Sequence, residues 1–499
     1  MANRFGNIIF KKEMKRTNYG FSDIFANPIN IFIIFILIRF YFVVDPFLLP
    51  QDAYYFLYTD SLSLSYFDHP PMISWILYLF RLIFGRNLFA IKIADFCVST
   101  ATIFVFYQLA KTYKKDINKS LLIAISSILL TVITLITTPD IPLVLFWSLS
   151  VLFLYKAIFE EKAQYWIYGG IAMGLAFDSK YTAIFLQAGL VLFLLFSKKY
   201  RYLLSKPYPW VALIIAHIFI LPVYIWNANN HWVSFLYQSA DRANALSNFN
   251  PILFLGFFLS QSIMILPPLY FVSVWQMIKS AKNIFKIPDE QMFLFAFIFP
   301  MFFTFTIISF FYWIKINWLL PVYLLIIVLY LDKFSYKLVK YNVDLALVLH
   351  IIIFVELIFY PIQIKSDDTF FGWQNLAQEV QKIKVENPED FIFSNDNYKT
   401  TAVLRFLMND KIYAGNIIGQ KGFNFAYVDT NLDSLKGKDA IFLDSDPNFK
   451  NLNPKGEVPS ILNQYFEKII EMQPIIINDD WGRAARKFYV YKCYNYLKN

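Results

Sequence analysis

The stretch INWLLPVYLLIIVLYLD at residues 316–332 decides the fold class, because it is long, apolar and carries a single charge at its end. As a helix, a run of this length crosses roughly 30 Å of hydrocarbon. Lys315 precedes the stretch and Lys333 follows it, so charged side chains mark both ends. This pattern predicts a helix that spans a membrane.

Similar runs recur through most of the chain, which is 58% hydrophobic and only 16% charged. An ordinary soluble domain is about 25% charged. The run at 71–84 is short and contains Arg81, which favours a helix lying along the membrane surface. We predict eleven transmembrane helices, at residues 28–46, 88–110, 120–137, 141–158, 164–179, 182–197, 208–226, 252–277, 291–313, 316–332 and 343–361.

The basic residues in the connecting loops test this arrangement, because Lys and Arg in short loops mark the cytoplasmic side. The loop between Val44 and Pro70 contains no base and four aspartates, and it should be external. With an odd number of spans, the N-terminus is cytoplasmic and the C-terminus external. The basic residues fall in alternate loops: Lys11, Lys12, Lys15 and Arg16; Lys111, Lys114, Lys115 and Lys119; Lys198, Lys199, Arg201 and Lys206; Lys279, Lys282 and Lys286; Lys333, Lys337 and Lys340.

The sequence therefore predicts a polytopic α-helical membrane protein with a C-terminal α/β domain. We expect a cytoplasmic segment at 1–27, a transmembrane domain at 28–361 that includes the first external loop at 46–87, and an external domain at 362–499. The last of these shows the following patterns: helices at Trp373 to Lys384 and near Ile461 to Ile470, and strands at Phe391 to Phe393, Ala440 to Leu443, Pro474 to Asn478 and Lys487 to Tyr491.

Composition also excludes several classes of function. The net charge of +9 is dispersed over short loops and forms no basic stripe, so nucleic-acid binding is not expected. The two cysteines, Cys97 and Cys493, exclude a disulfide framework or a Cys-rich zinc site. His217 and His350 lie inside apolar spans, where a packing role is expected, and no two histidines have metal-site spacing.

The first external loop is the richest in polar and aromatic residues. It contains Gln51-Asp52-Ala53-Tyr54-Tyr55 and Tyr66-Phe67-Asp68-His69-Pro70-Pro71-Met72. Carboxylates among aromatic rings at a membrane surface suit substrate binding. The alternative is a solvated loop whose acids merely follow the topology.

Further charged residues lie at the external ends of apolar runs, namely Asp140, Asp178, Lys180 and Lys315. A charge near the bilayer centre costs about 2.5 to 3.5 kcal/mol on insertion scales, so such residues usually face a cavity or a partner. Their convergence on one face indicates a shared site. A purely structural ion pair between Asp178 and Lys180 is the alternative.

Another external loop, from Ile225 to Phe235, combines Trp, Asn and His side chains. This mixture suits contact with a sugar or a lipid headgroup. An interfacial aromatic belt is the competing interpretation.

Taken in order, these motifs resemble the bacterial branch of the protein O-mannosyltransferase and aminoarabinose (lipid A) transferase superfamily, membrane glycosyltransferases with the type C fold. The Tyr66 to Pro71 run is the most specific of them, and the resemblance covers nearly the whole chain. Its carriers are Asp52 to Tyr55, Tyr66 to Met72, Thr138 to Pro142, Ser179 to Thr182, Ile225 to Phe235, Asn317 to Pro321 and Gly372-Trp373.

The resemblance implies about 11 to 13 transmembrane helices and a bacterial inner-membrane enzyme with a periplasmic C-terminal domain. Such an enzyme moves a hexose or pentose, with inversion, from a polyprenyl (undecaprenyl) phosphate to lipid A, another envelope glycan or a protein. Because the leaving phosphate is already stabilised, one carboxylate base suffices, unlike in glycoside hydrolysis. A divalent metal ion is left open, and membrane lipid is an expected partner.

The resemblance also assigns roles to residues. In the family the first loop opens with an Asp-Glu pair, whereas this chain has Gln51-Asp52, so the base is either Asp52, shifted by one residue, or Asp68. The implied catalytic residues are Asp52 and Asp68, and His69, Lys180 and Lys315 would bind the donor phosphate. The implied substrate-binding residues are Tyr55, Tyr66, Asp140, Asp178, Tyr181, Asn227, His231, Asn317 and Trp318.

A transporter or flippase for a lipid-linked sugar is the second class of function, since it would also need many spans and intramembrane charges. Transporters often show inverted repeats and broken helices in both halves, and this sequence shows neither. A structural or receptor protein, the third class, leaves the clustered acids unexplained.

Overall fold

The structure is a computed structural model and describes residues 28–497. The predicted cytoplasmic segment 1–27 lies outside the described residues. Helices make up most of the chain as far as Phe359: α1 (Pro28–Val44), α2 (Pro50–Leu57), α3 (Met72–Phe84), α4 (Leu88–Thr112), α5 (Ile117–Ser126), α6 (Ile128–Leu135), α7 (Asp140–Phe159), α8 (Gln164–Ser179), α9 (Ile184–Phe196), α10 (Pro207–Asn229), α11 (Val233–Leu236), α12 (Arg242–Asn244), α13 (Pro251–Ile265), α14 (Pro267–Lys282), α15 (Asp289–Ile308), α16 (Leu320–Tyr330) and α17 (Tyr336–Phe359).

The expected polytopic helical protein is confirmed. Each of the eleven predicted runs falls on a helix or on a bent pair of helices. Within the described chain, six helical segments are long and apolar enough to cross a membrane: α4, α7, α10, α15, α17 and the segment Ile316–Lys333 that contains α16. The bent pairs α5–α6 and α13–α14 raise this number to 8, and α1, α8 and α9 are shorter.

The run predicted as one straight helix at 252–277 is broken, because α13 and α14 meet at an angle of 114°. Leu266 between them has a left-handed backbone (φ +69°), and the two prolines after it cannot continue the preceding helix. Both helices of the pair contact α16. Tyr323 in α16 donates to Gln261 in α13 at 2.7 Å, and Tyr330, the last residue of α16, donates to Ser280 in α14 at 3.2 Å.

Small residues bring α8 and α10 close together. A Cβ on Gly170 would lie 2.4 Å from the Ala212 carbonyl oxygen, and one on Gly174 would lie 2.7 Å from that of Ala216. Two pairs of small residues four positions apart let helix backbones approach in lipid, where packing rather than water exclusion drives association. This contact fixes the position of α8, whose end carries Asp178 and leads to Lys180.

The first loop, residues 46–87, folds as α2 and α3 and lies between the membrane helices and the chain after α17. Tyr54, Phe56 and Leu77 from this loop share one apolar core with Trp373 and Phe425. The loop is therefore a buried layer, with one face of α3 left exposed at Leu79, Leu82 and Ile83.

The C-terminal domain, described here over residues 362–497, is built on one mixed sheet of order β2-β1-β3-β6-β4, with β5 also paired to β6. β1 pairs in parallel with β2 and β3, and β6 pairs antiparallel with β3, β4 and β5. Its elements are α18 (Trp373–Glu386), β1 (Phe391–Ser394), α19 (Lys399–Met408), β2 (Ile412–Tyr413), α20 (Phe425–Val428), β3 (Ala440–Ser445), β4 (Phe466–Glu471), β5 (Ile475–Asn478) and β6 (Ala484–Tyr496).

The helix predicted near Ile461 to Ile470 is wrong. A short 3₁₀ turn at Ser460–Gln464 leads into β4, which pairs antiparallel with β6 from Phe466 opposite Tyr496 to Glu471 opposite Tyr491. The spacing of apolar residues in this segment also fits a helix, but pairing with the long strand β6 outweighs local preference. The other predicted helix and strands of the domain coincide with α18, β1, β3, β5 and β6.

Candidate active site

Asp68 lies at the centre of the first loop and is buried. Its Oδ1 accepts hydrogen bonds from the hydroxyls of Tyr54, at 3.0 Å, and Tyr58. Burial raises the pKa of Asp68 to about 6, although the two tyrosine hydroxyls and the nearby Arg242 oppose this rise. No other described residue donates to the second oxygen, Oδ2, although the backbone N–H of Asp68 itself also interacts with the carboxylate.

The loop around Asp68 is held rigid from several sides. The Tyr66 N–H donates to the His69 carbonyl at 3.2 Å, which closes a turn over Asp68. The Tyr66 ring stacks on Tyr58 at 3.9 Å, and its hydroxyl donates to the Tyr58 carbonyl. Gln238 donates to the Asp68 carbonyl at 2.8 Å. Tyr66 thus supports the loop from beneath.

The C-terminal domain closes over this loop. The Asn424 N–H donates to the Tyr54 hydroxyl at 3.1 Å, and the Tyr398 ring lies 4.4 Å from that of Tyr54. Tyr54 therefore contacts Asp68 on one side and the C-terminal domain on the other. We call these contacts of Tyr54 with Tyr398 and Asn424 the Tyr54 clasp.

A second acidic centre is Asp140, at the start of α7. Lys180 donates to both of its oxygens, at 2.8 and 3.0 Å, and Asn317 donates to Oδ2 at 2.6 Å. The structure thus brings together three polar residues from distant parts of the sequence. The alternative of an Asp178–Lys180 ion pair is wrong, because Lys180 pairs with Asp140 instead and α8 ends between Asp178 and Lys180. Oδ1 of Asp178 is buried with no hydrogen-bond partner among the described residues.

Four basic side chains gather beside Asp68. Burial lowers the pKa of His69 well below its usual value, and the positive charges of Lys180, Arg242 and Lys315 add to this effect. Desolvation lowers the pKa of Lys315. The positive charges of Arg242 and Lys180 lower it further, whereas the negative charge of Asp368 opposes this change. Arg242 is joined to Asp68 through Gln238, which accepts from Arg242 and donates to the Asp68 carbonyl. Lys180, held by Asp140 beside Asn317, and Lys315 are close enough for their charges to act on His69, and an anion in this region would be stabilised.

Arg242 is the member of this cluster that the sequence did not predict. It donates to Gln238 at 2.8 Å, and its guanidinium lies 4.9 Å from the centre of the Trp318 ring. Trp318 therefore supports Arg242. The signal for Arg242 in the sequence was weak, since it is a lone base in an external loop expected to contain few bases.

Asp52 is the other acid predicted as catalytic, and the structure places it in a closed network. Its side chain is 0% exposed and forms an ion pair of 2.6 Å with Lys92, which is 1% exposed. The N–H groups of Leu49 and Thr137 donate to Asp52 at 2.8 and 2.9 Å. Three donors hold the Asp52 carboxylate: Lys92 in α4, the Leu49 N–H before α2 and the Thr137 N–H between α6 and α7.

The remaining predicted residues divide into two groups. Burial raises the pKa of Tyr55, and the negative charges of Asp68 and Asp140 add to this rise. The Tyr55 ring lies 5.7 Å from that of His69. Asn227, by contrast, accepts from the Ser234 N–H and donates to Val223, so it shapes the loop. Tyr181 packs beside the rings of Phe177 and Phe235, and His231 is exposed in a left-handed turn.

Metal binding finds no obvious place. Over residues 28–497, no group of three or more His, Cys, Asp or Glu side chains converges in a way that could hold a metal ion.

A bundle of membrane helices, an α/β domain that covers it and a charged site between the two are the features of the type C membrane glycosyltransferase fold. Residues 68–226, about a third of the chain, match the family described as Dolichyl-phosphate-mannose-protein mannosyltransferase. The match begins at Asp68 and includes Asp140 and Lys180. No curated protein sequence matches the chain.

Solved structures show the same architecture. ArnT from Cupriavidus metallidurans in the apo state is similar with a TM-score of 0.58 and 13% identity, over 93% of this chain and 97% of that one. Its structure bound to undecaprenyl phosphate gives a TM-score of 0.60 and 12% identity over the same shares. The apo oligosaccharyltransferase of Archaeoglobus fulgidus, with a TM-score of 0.49, 11% identity and coverage of 83% and 69%, is more distant. The family match over residues 68–226 and the two ArnT structures confirm the resemblance and the fold inferred from the sequence.

Proposed function

We propose that this protein is an inverting glycosyltransferase that moves a sugar from a polyprenyl-phosphate donor to an acceptor at the membrane surface. The observation that carries the proposal is the convergence of His69, Lys180, Arg242 and Lys315 beside the buried Asp68. An anionic phosphate is the natural ligand for such a cluster, and the fold is one that houses this chemistry.

The basic cluster would hold the departing phosphate. Lys180, Arg242 and Lys315 supply fixed positive charge in a region with little water, which stabilises negative charge as it develops on the leaving group. His69 has a strongly lowered pKa and is neutral at pH 7, so it contributes a hydrogen bond rather than a charge. Asp140 keeps Lys180 in place through two hydrogen bonds.

Asp68 would meet the sugar or the acceptor through Oδ2, while Tyr54 and Tyr58 fix Oδ1. Attack from the face opposite the phosphate inverts the anomeric carbon. Tyr55 lies near Asp68 and Asp140, where its hydroxyl can contact a sugar hydroxyl. For Asp52 we propose a structural role, since three donors already engage its carboxylate.

The surroundings suit a lipid-linked donor. Leu246, Phe249 and Ile252 follow Arg242 closely in the sequence and are all exposed. Apolar side chains beside a cationic cluster allow a polyprenyl tail to remain in lipid while its phosphate enters the site. ArnT was solved with undecaprenyl phosphate bound, which supports the same donor class here. We propose the bacterial inner membrane as its location, with the site on the periplasmic face and lipid A, another envelope glycan or a protein as acceptor.

The experiment compares envelope lipids and glycoproteins, by mass spectrometry, from cells with and without this gene. Loss of one hexose, hexosamine or aminopentose from a single component names the sugar and acceptor together. Purified protein in nanodiscs should also release undecaprenyl phosphate from the matching donor, assayed with and without divalent metal ions. A flippase would move the donor across a vesicle without cleaving it, and that outcome would refute the proposal.

A further inference from the structure

The side chain that faces the site from the start of α2 is an amide. Gln51 and Tyr55 lie one turn apart on the same face of α2, whereas Asp52 points away toward Lys92. Tyr55 lies near Asp68 and Asp140. An uncharged amide at position 51 cannot take a proton from an acceptor, so α2 presents no base to this space.

A carboxylate from the C-terminal domain lies against this amide. Gln51 Nε2 donates to Oδ1 of Asp368 at 3.1 Å, and Lys399 Nζ donates to Oδ2 at 3.0 Å. Asp368 belongs to the segment between α17 and α18, far from Gln51 in sequence. Its side chain is 50% exposed and that of Lys399 is 21% exposed. The Asp368 carboxylate is therefore oriented from two sides and still open to solutes.

Asp368 also shares its surroundings with Asp68. Burial raises the pKa of Tyr398, and the negative charges of Asp368 and Asp68 both add to this rise. The Tyr398 ring packs on Tyr54, which donates to Asp68. Asp368 is thus close enough to Tyr398 and to Lys315 for its charge to act on both, and Lys399, its ion-pair partner, directly follows Tyr398 in the chain.

Gln51 has unused hydrogen-bonding capacity at this point. Its Oε1 is buried and accepts no hydrogen bond from any residue in the described range 28–497. A buried acceptor of this kind is costly unless a ligand completes it. A hydroxyl held by Gln51 Oε1 would lie next to Asp368, because the amide nitrogen of the same side chain already contacts that carboxylate.

We propose that Asp368, supplied by the C-terminal domain, is the base that deprotonates the acceptor hydroxyl. This inference rests on the proposed transfer reaction. The hydroxyl proton passes to Asp368 as the oxygen forms a bond to the anomeric carbon. The bond from that carbon to the phosphate oxygen breaks, and the phosphate leaves with its electron pair to the basic cluster. Asp368 then returns the proton to water.

The contacts of Asp368 suit this role better than those of the other acids. Gln51 donates to one of its oxygens and Lys399 to the other, which holds the carboxylate in a single orientation while half of its surface stays exposed. Asp52 is enclosed by three donors. Asp68 keeps one oxygen bonded to two tyrosines and lies deeper, where it can orient the sugar.

The first test uses full-length protein in cells lacking the gene, with the sugar modification measured by mass spectrometry. Asp368→Asn should reduce modification at least about a hundredfold, the lower end of what a general base contributes. Purified Asp368→Asn should bind undecaprenyl phosphate within about twofold of the unaltered protein. Asp480→Asn, which removes an exposed carboxylate elsewhere in the domain, is the matched control and should be fully active.

A relocation experiment separates chemistry from structure. Gln51→Asp combined with Asp368→Asn places a carboxylate one hydrogen bond away and should recover at least about tenfold of the lost activity. The side chains introduced by Asp368→Glu and Asp368→Gln have the same shape, and only the Glu variant should retain transfer activity. Equal activity in these two overturns the inference, as does full activity in Asp368→Asn. If the unaltered protein restores no sugar modification, the proposed function itself fails.

Discussion

Replacing Asp52 by Asn tests whether this buried acid supports the fold or performs the chemistry. In the folded protein Asp52 and Lys92 form an ion pair with almost no exposure to water. Asp52→Asn leaves the Lys92 ammonium without a counter-charge, and removing one partner of a buried pair costs about 3 to 5 kcal/mol. Because Asn has one acceptor oxygen where Asp has two, one of the two N–H groups, that of Leu49 or that of Thr137, also loses its acceptor. We expect a large loss of unfolding free energy and, with it, of activity.

The double variant Asp52→Asn with Lys92→Met gives the decisive comparison. It removes both charges, so it should regain most of the lost stability, less about 1 kcal/mol for the hydrogen bond from Lys92 to the Leu135 carbonyl. Stability is measured by denaturant unfolding in detergent, and turnover is measured on the same samples. A stable double variant with no turnover but unchanged donor affinity would refute the reasoning and make Asp52 the base.

Three more outcomes are expected. Asp68→Asn should abolish transfer while the protein still inserts. In the unaltered enzyme, turnover should fall about tenfold per pH unit below about pH 6, because burial raises the pKa of Asp68 to about 6 and only the ionised form can hold the substrate. A flat profile from pH 4 to 7 would contradict this. Lys180→Ala should weaken binding of undecaprenyl phosphate about tenfold, measured by titration, whereas Lys382→Ala in the exposed part of α18 should leave it unchanged. Tyr54→Phe breaks the hydrogen bonds to Asp68 and Asn424, so residues 64–71 should exchange amide hydrogen faster, with a loss of about 1 to 2 kcal/mol in local stability; unchanged exchange would show that the clasp does not stabilise the loop.

Hydrophobic runs and loop charge predicted most of the architecture, because a bilayer imposes its thickness on any helix that crosses it. The same reasoning overlooked the break at Leu266, although the two prolines that follow this residue cannot continue the preceding helix and were a signal for it in the sequence. It also misread β4 as a helix, because only the partner strand β6 distinguishes the two patterns.

The candidate site was predicted in part. Asp140, Lys180 and Asn317 do come together, as their placement at the ends of spans suggested. The pairing of Lys180 was misjudged, because neighbours in sequence need not be neighbours across the end of a helix. Residues such as Asp368 were beyond reach, since their contacts arise only when distant segments dock.

The Tyr54 clasp has a consequence for how the protein is made. Tyr54 and Asn424 are 370 residues apart, so the ribosome completes one long before the other. A nascent chain can have every membrane helix inserted while the site around Asp68 still lacks its contacts with the C-terminal domain. The site around Asp68 is then complete only after the C-terminal domain has been synthesised and has folded against the first loop.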